Sequence, residues 1–107
     1  RWSEKAMATR VKVASVTDVP AGEARMVDAA GKPIALVNAG GAFYAVDNTC
    51  LHKGGPLGQG ELDGLILTCP WHAWRWDVTT GANANNPGLR LACYPVTVEN
   101  GSGYVEV

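Results

Sequence analysis

Apolar and polar residues alternate in short runs along this chain, and turn residues cut the runs. Val11-Lys12-Val13 opens the pattern with a period of two. The segment ARMVDAAGKPIALV (24–37) reads as two strands joined at Ala30-Gly31. IALVNAGGAFYAVDN (34–48) reads as a hairpin turning over 38–41. PVTVENGSGYVEV (95–107) is the cleanest hairpin, with Val96 and Val98 set against Val105 and Val107 around Asn100-Gly101. No segment sustains the 3.6-residue apolar period of an amphipathic helix, so little helix is expected. Thirteen glycines and six prolines recur at intervals that suit an all-β antiparallel sandwich or barrel. A chain of 107 residues supports one domain, 1–107, around one core.

Residues 48–90 fit this pattern less well. TCLHKGGPLGQGELDG is polar and glycine-rich, and TTGANANNPGLR reads as a loop. LILTCPWHAWRWDV has strand character on both sides of Cys69-Pro70. Two loops that grow from strand ends therefore carry Cys50 and His52 on one side, and Cys69 and His72 on the other.

These four residues include both histidines of the chain and two of its three cysteines. Two thiolates and two imidazoles suit zinc or iron. A lone cysteine is more often a small core residue, and a lone histidine a satisfied polar one. Two Cys–His pairs on glycine-rich loops weigh against that reading. A zinc site that stabilises an interaction module is the stronger rival. Zinc loops usually separate ligands by two to four residues, whereas one residue separates Cys50 from His52. So close a pair chelates one ion awkwardly and serves two metals more naturally. A rhombic cluster of two irons and two sulfides offers that arrangement, with Cys50 and Cys69 on one iron and His52 and His72 on the other.

The C-x-H and C-x-x-H pattern, with the glycines and proline of CLHKGGPL and the run CPWHAW, resembles the Rieske iron–sulfur proteins. The resemblance runs from about Val11 to the end. It implies a Rieske-like antiparallel β fold with a cluster-binding subdomain of two loops, and one 2Fe-2S cluster per chain. Histidine in place of two thiolates makes the cluster less negative in each oxidation state, so an added electron is better tolerated. Rieske centres lie at about −150 to +300 mV, against about −400 mV for plant-type ferredoxins.

Respiratory Rieske proteins join their cluster loops by a disulfide, at positions matching Gly55 and Trp71 here, so no such bond can form. They also place serine and tyrosine hydroxyls against the cluster, where this chain has Trp74 and Trp76. The resemblance is therefore to the low-potential class of Rieske ferredoxins and oxygenase Rieske domains. Indoles at these positions supply apolar cover and N–H donors, or simply core packing. Strand alternation sets Trp74 and Trp76 on one face and Arg75 on the other. Gly54, Gly55 and Pro56 suit close approach of backbone to the sulfides. Lys53 either favours the reduced state, aids docking, or is simply solvated. Pro87, in NNPG, resembles the loop that shields the cluster in this family, or is an ordinary turn. Cys93 reads as a buried thiol, and Asp77 as a local cap.

A ring-hydroxylating oxygenase needs a second, mononuclear iron held by two histidines and a carboxylate, and this chain has no histidine left for it. The resemblance therefore implies a ferredoxin and not a catalyst. Its donor would be a flavin-dependent, NAD(P)H-driven ferredoxin reductase and its acceptor a terminal oxygenase. The small subunit of an assimilatory nitrite reductase is the alternative.

Composition narrows the picture a little further. Net charge is −1 with no basic stripe, so no nucleic-acid partner is expected. No span reaches the roughly 20 apolar residues of a membrane helix. An odd number of cysteines without a secretory signal points to a reducing compartment, the cytoplasm. Met7-Ala8-Thr9 reads as a native start, with residues 1–6 an expression remnant or disordered.

Overall fold

The computed structural model describes residues 10–49, 56–71, 74–86 and 88–106. The expected start at Met7 and the reading of residues 1–6 lie outside them. Ten strands run in chain order: β1 Arg10–Ser15, β2 Glu23–Ala29, β3 Lys32–Ala39, β4 Ala42–Asp47, β5 Glu61–Asp63, β6 Ile66–Thr68, β7 Arg75–Asp77, β8 Cys93–Tyr94, β9 Val96–Glu99 and β10 Ser102–Glu106. The only helical turns among the described residues are 3-10 turns at Val16–Asp18 and Leu57–Gln59. No helix is long and apolar enough to cross a membrane. The all-β antiparallel class expected from the alternation is the class observed.

Three sheets form, with strand orders β1-β10-β9, β2-β3-β4-β8 and β5-β6-β7. The four-stranded sheet is the middle layer, and β3 shows why. Its run Ile34-Ala35-Leu36-Val37 is buried throughout. A strand covered on both faces needs apolar side chains in both directions, so it reads as a continuous run and not an alternation. Ile34 and Leu36 join Val19, Ala29, Ala45 and Val105 in one core group. Ala35 and Val37 point the other way and join Leu57, Leu67, Cys69, Trp76, Val78 and Leu91 in a second. The first group packs the middle sheet on β1-β10-β9, and the second packs it on the loop-bearing sheet β5-β6-β7.

Two-residue turns set the registers. Ala30 and Gly31 have φ of 56° and 87°, the left-handed pair that a tight hairpin requires, and Gly31 N–H bonds to Asp28 Oδ1 at 2.6 Å. Gly40-Gly41 and Asn100-Gly101 turn in the same sense. The last hairpin departs from the expected pairing at one point. Val96 lies opposite Val105, but Val98 lies opposite Gly103. A turn of Asn100-Gly101 pairs Glu99 with Ser102, and every later rung follows from that rung. The expectation for Val107 lies outside the described residues.

Cys93 also departs from expectation, since it is exposed and not buried. It lies on β8, at one edge of the middle sheet, with Gly81 close to its sulfur.

Candidate metal centre

The two loops expected to carry the ligands emerge from closed necks. At the first, Thr49 and Pro56 form an antiparallel bridge. Asn48 holds the returning chain twice: its carbonyl accepts from Leu57 N–H at 2.7 Å, and its Oδ1 accepts from Gly58 N–H at 2.7 Å. Residues 50–55, and with them Cys50, His52, Lys53, Gly54 and Gly55, lie outside the described residues. At the second neck, Cys69 N–H donates to the Trp74 carbonyl at 2.7 Å. This extends the β6–β7 ladder one rung past Thr68 opposite Arg75. His72, within that loop, also lies outside the described residues.

The necks touch. The chain leaves the first through the Leu57–Gln59 turn, which closes with Gly60 N–H on the Leu57 carbonyl at 2.9 Å. A side chain at Gly60 would collide with the carbonyl oxygen of Thr68, the residue before Cys69. Gly58 lies as tightly on β2, where a Cβ would stand 2.5 Å from the Met26 nitrogen. Gly60 thus lets the exit of one loop press on the entrance of the other, and Gly58 lets the same segment lie on β2. Leu57 and Cys69 then share one core group.

Cys69 is 1% exposed and forms no disulfide. Its Sγ accepts the backbone N–H of Trp71 at 3.4 Å. A buried sulfur that faces an amide suits the thiolate, because the N–H supports negative charge that burial alone would disfavour. This is the form that binds metal.

Trp71 therefore meets the cysteine through its backbone, while its side chain stays 49% exposed. Trp74 is half-buried and Trp76 fully buried, their ring centres 6.2 Å apart and tilted by 39°. Arg75 between them is exposed, as alternation requires. The indole Nε1 of Trp76 is buried without a hydrogen-bond partner.

A third loop joins this end of the molecule. Asn83 pairs with Trp76, and Ala84 N–H donates to the Arg75 carbonyl at 2.8 Å. Asn83 Oδ1 accepts from the N–H groups of Asn85 and Asn86, each at 2.9 Å, and Asn83 N–H donates to the Leu89 carbonyl. The loop of NNPG is thus tied to the strand that follows the second ligand loop. Pro87 itself lies outside the described residues. Asp77 bonds locally as expected: its Oδ1 accepts Thr79 Oγ1–H at 2.6 Å and Thr79 N–H at 2.9 Å. The Thr79 hydroxyl, above all, holds this carboxyl below the usual range.

Sequence reasoning missed Asn48, Gly60 and Asn83. Asparagine beside a turn is the signal for Asn48 and Asn83, since its side chain readily bonds nearby amides. Gly60 gives no local signal, because its constraint comes from Thr68 across the sheet.

A donor set of two cysteines and two histidines, a buried sulfur facing an amide, and an unpartnered N–H in the same core group all fit a 2Fe-2S cluster. The comparisons agree. Residues 9–95 match the family model of the Rieske [2Fe-2S] domain. The ferredoxin component of the naphthalene 1,2-dioxygenase/salicylate 5-hydroxylase systems of a Ralstonia species is 37% identical over 91 residues, 84% of this chain and 88% of that protein. A chain from the complex of reduced oxygenase and oxidised ferredoxin in carbazole 1,9a-dioxygenase is 36% identical, with a TM-score of 0.81 over 90% of this chain and 91% of that one. A Mycobacterium tuberculosis chain described as an NADH-dependent nitrite reductase small subunit has a TM-score of 0.86 over 94% of this chain and 96% of its own, at 18% identity. At that identity the likeness is one of fold alone.

Proposed function

The chain belongs to the Rieske [2Fe-2S] domain family, and from that premise we propose that it is the ferredoxin component of a ring-hydroxylating oxygenase system. It takes electrons one at a time from a flavin-dependent reductase driven by NAD(P)H and passes them to a terminal oxygenase. The relative from Ralstonia is the ferredoxin component of two such systems, and the carbazole dioxygenase structure pairs an oxygenase with a ferredoxin. The whole chain, 1–107, acts as one Rieske domain, and the cytoplasm is its compartment.

When bound, the cluster takes up and gives back one electron. Cys50 and Cys69 hold one iron, and His52 and His72 the other. The observation that carries this assignment is the contact between the two necks, with Gly60 against Thr68 and Cys69 buried beside Leu57. Both loops spring from that contact, which supports a site shared by the four residues. The Trp71 amide steadies charge on the Cys69 sulfur. Trp76 keeps water from the base of the second loop, and Trp74 covers part of it. The resemblance to the family supports a place near the cluster for Lys53, Gly54, Gly55 and Pro87.

Electron transfer measured with purified components tests the reading. NADH, a flavin-dependent ferredoxin reductase and a ring-hydroxylating oxygenase are mixed with and without this protein. Substrate hydroxylation should depend on the added protein. Colourless protein that contains zinc would overturn the proposal. So would red-brown protein that purifies only with a haem-bearing nitrite reductase subunit.

A further inference from the structure

Trp76 is 0% exposed, and its indole N–H is the one buried side-chain polar group without a partner among the described residues. Nearly all buried donors in folded proteins are paired, and an unpaired one costs roughly 1–3 kcal/mol. A partner for this N–H is therefore expected from something the polypeptide does not itself supply.

The ladder shows what lies within reach. Trp76 is opposite Leu67, and Cys69 N–H reaches Trp74 one rung further on. Side chains two apart on a strand share a face, so Leu67, Cys69, Trp74 and Trp76 all project to the same side. Cys69 and Trp76 are then diagonal neighbours, a separation that aromatic side chains span. Both belong to the same buried core group, and the remaining buried members of that group are apolar. Asn83, buried and bridged to Trp76, already spends its Oδ1 on the amides of Asn85 and Asn86, so beyond the described residues the acceptor this points to is sulfur of the cluster held at Cys69.

We propose that the Trp76 indole N–H donates a hydrogen bond to a sulfide of the bound cluster, and so raises the reduction potential. The inference rests on the cluster assignment made above, but not on the identity of the redox partners. Indole is a donor only, so it favours the more negative acceptor. Reduction adds negative charge to the cluster, and the bond is stronger in the reduced state. Trp76 thereby acts as a tuning residue and not only as packing.

The test uses the cluster-loaded protein. Trp76→Phe keeps an aromatic ring of similar shape and removes the donor. Its midpoint potential should fall by an amount equal to about a fivefold shift of the redox equilibrium, or about 40 mV for one electron. Protein labelled with 15N in the indole ring gives a second readout that needs no variant at position 76. Electron–nuclear double resonance of the reduced form should show coupling from an indole nitrogen and its exchangeable proton, and Trp74→Phe should leave that coupling in place. An unchanged potential in Trp76→Phe with an intact cluster spectrum would overturn the proposal, as would a coupling that is absent or that vanishes with Trp74. Failure of the functional reading looks different: a Rieske signal would still be present, but no electrons would reach an oxygenase.

Discussion

The amide of Cys69 is bonded to the carbonyl of Trp74 across 2.7 Å, one rung beyond the last regular pair of β6 and β7. The cysteine is therefore fixed at the end of a ladder, and only residues 70–73 separate its two ends. So short a connection supports the proposal that Cys69 and His72 serve one site.

From this follows the first prediction. Replacing His72 or His52 with alanine abolishes the native cluster, because the chain has no other histidine to take either place. Stability falls as well, since binding at a shared site ties the two loops and is coupled to folding. Visible absorption, iron content and electron paramagnetic resonance of His72→Ala check this. A full Rieske spectrum in that variant would refute the ligand assignment.

The second prediction concerns Gly60. Its missing side chain is what allows the exit of the first loop to lie on the Thr68 carbonyl. Backbone cannot yield as a flexible side chain does, so Gly60→Ala must separate the two necks. Overpacking of this kind costs about 1–3 kcal/mol. Because the displaced contact lies beside Cys69, the variant should also lose its cluster faster under a chelator. Gly64→Ala is the control. That glycine has φ of 64° and open space around it, so the change costs about 1 kcal/mol and leaves cluster retention alone. Urea unfolding and the decay of visible absorbance measure both effects.

The contrast between such residues explains how far the sequence could be read. Hairpins were legible because alternation and turn glycines are local signals, and the tight pairs Ala30-Gly31 and Asn100-Gly101 adopt the left-handed conformation they predict. The family was legible because its C-x-H and C-x-x-H pattern sets particular side chains at particular spacings. Register was harder. Matching valines set Val96 and Val98 against Val105 and Val107, but turn length decides the rung and puts Gly103 opposite Val98. The exposure of Cys93 depends on how far the packing over that face of the sheet extends, which its neighbours in sequence do not reveal. The Trp71 amide on Cys69 was invisible for another reason: every residue but proline has such a donor, so identity carries no signal.

Ala30 carries the third prediction. Its φ of 56° places a Cβ where only glycine and asparagine sit comfortably. Ala30→Asn keeps the turn and offsets that cost through local hydrogen bonding of its short polar side chain, and should stabilise the protein by about 0.5–1 kcal/mol. The substitution is far in sequence from the ligand loops, so the cluster spectrum should be unchanged. Thermal unfolding of the holoprotein decides the matter, and a lower midpoint would contradict the argument.

The fourth prediction is a pH dependence. Tyr94 Oη–H donates to Asp47 Oδ1 at 2.6 Å, joining β8 to the end of β4. Asp47 N–H also donates to the Ala92 carbonyl at 3.0 Å, and the next residue, Asn48, holds the first neck. Partial burial, and then the bond to a carboxylate, push the Tyr94 phenol up to about 12. An unfolded tyrosine titrates near 10. The folded protein therefore keeps this proton over a range in which the unfolded chain has lost it. Stability from the pair is complete below about pH 10, falls as pH rises from there, and is gone above about 12. Tyr94→Phe should cost about 1 kcal/mol at neutral pH through the lost hydrogen bond. It should also flatten the decline between pH 10 and 12 relative to the parent protein. Urea midpoints of both proteins from pH 8 to pH 12 provide the comparison. Parallel curves across that range would mean that the Asp47–Tyr94 bond does not persist in solution.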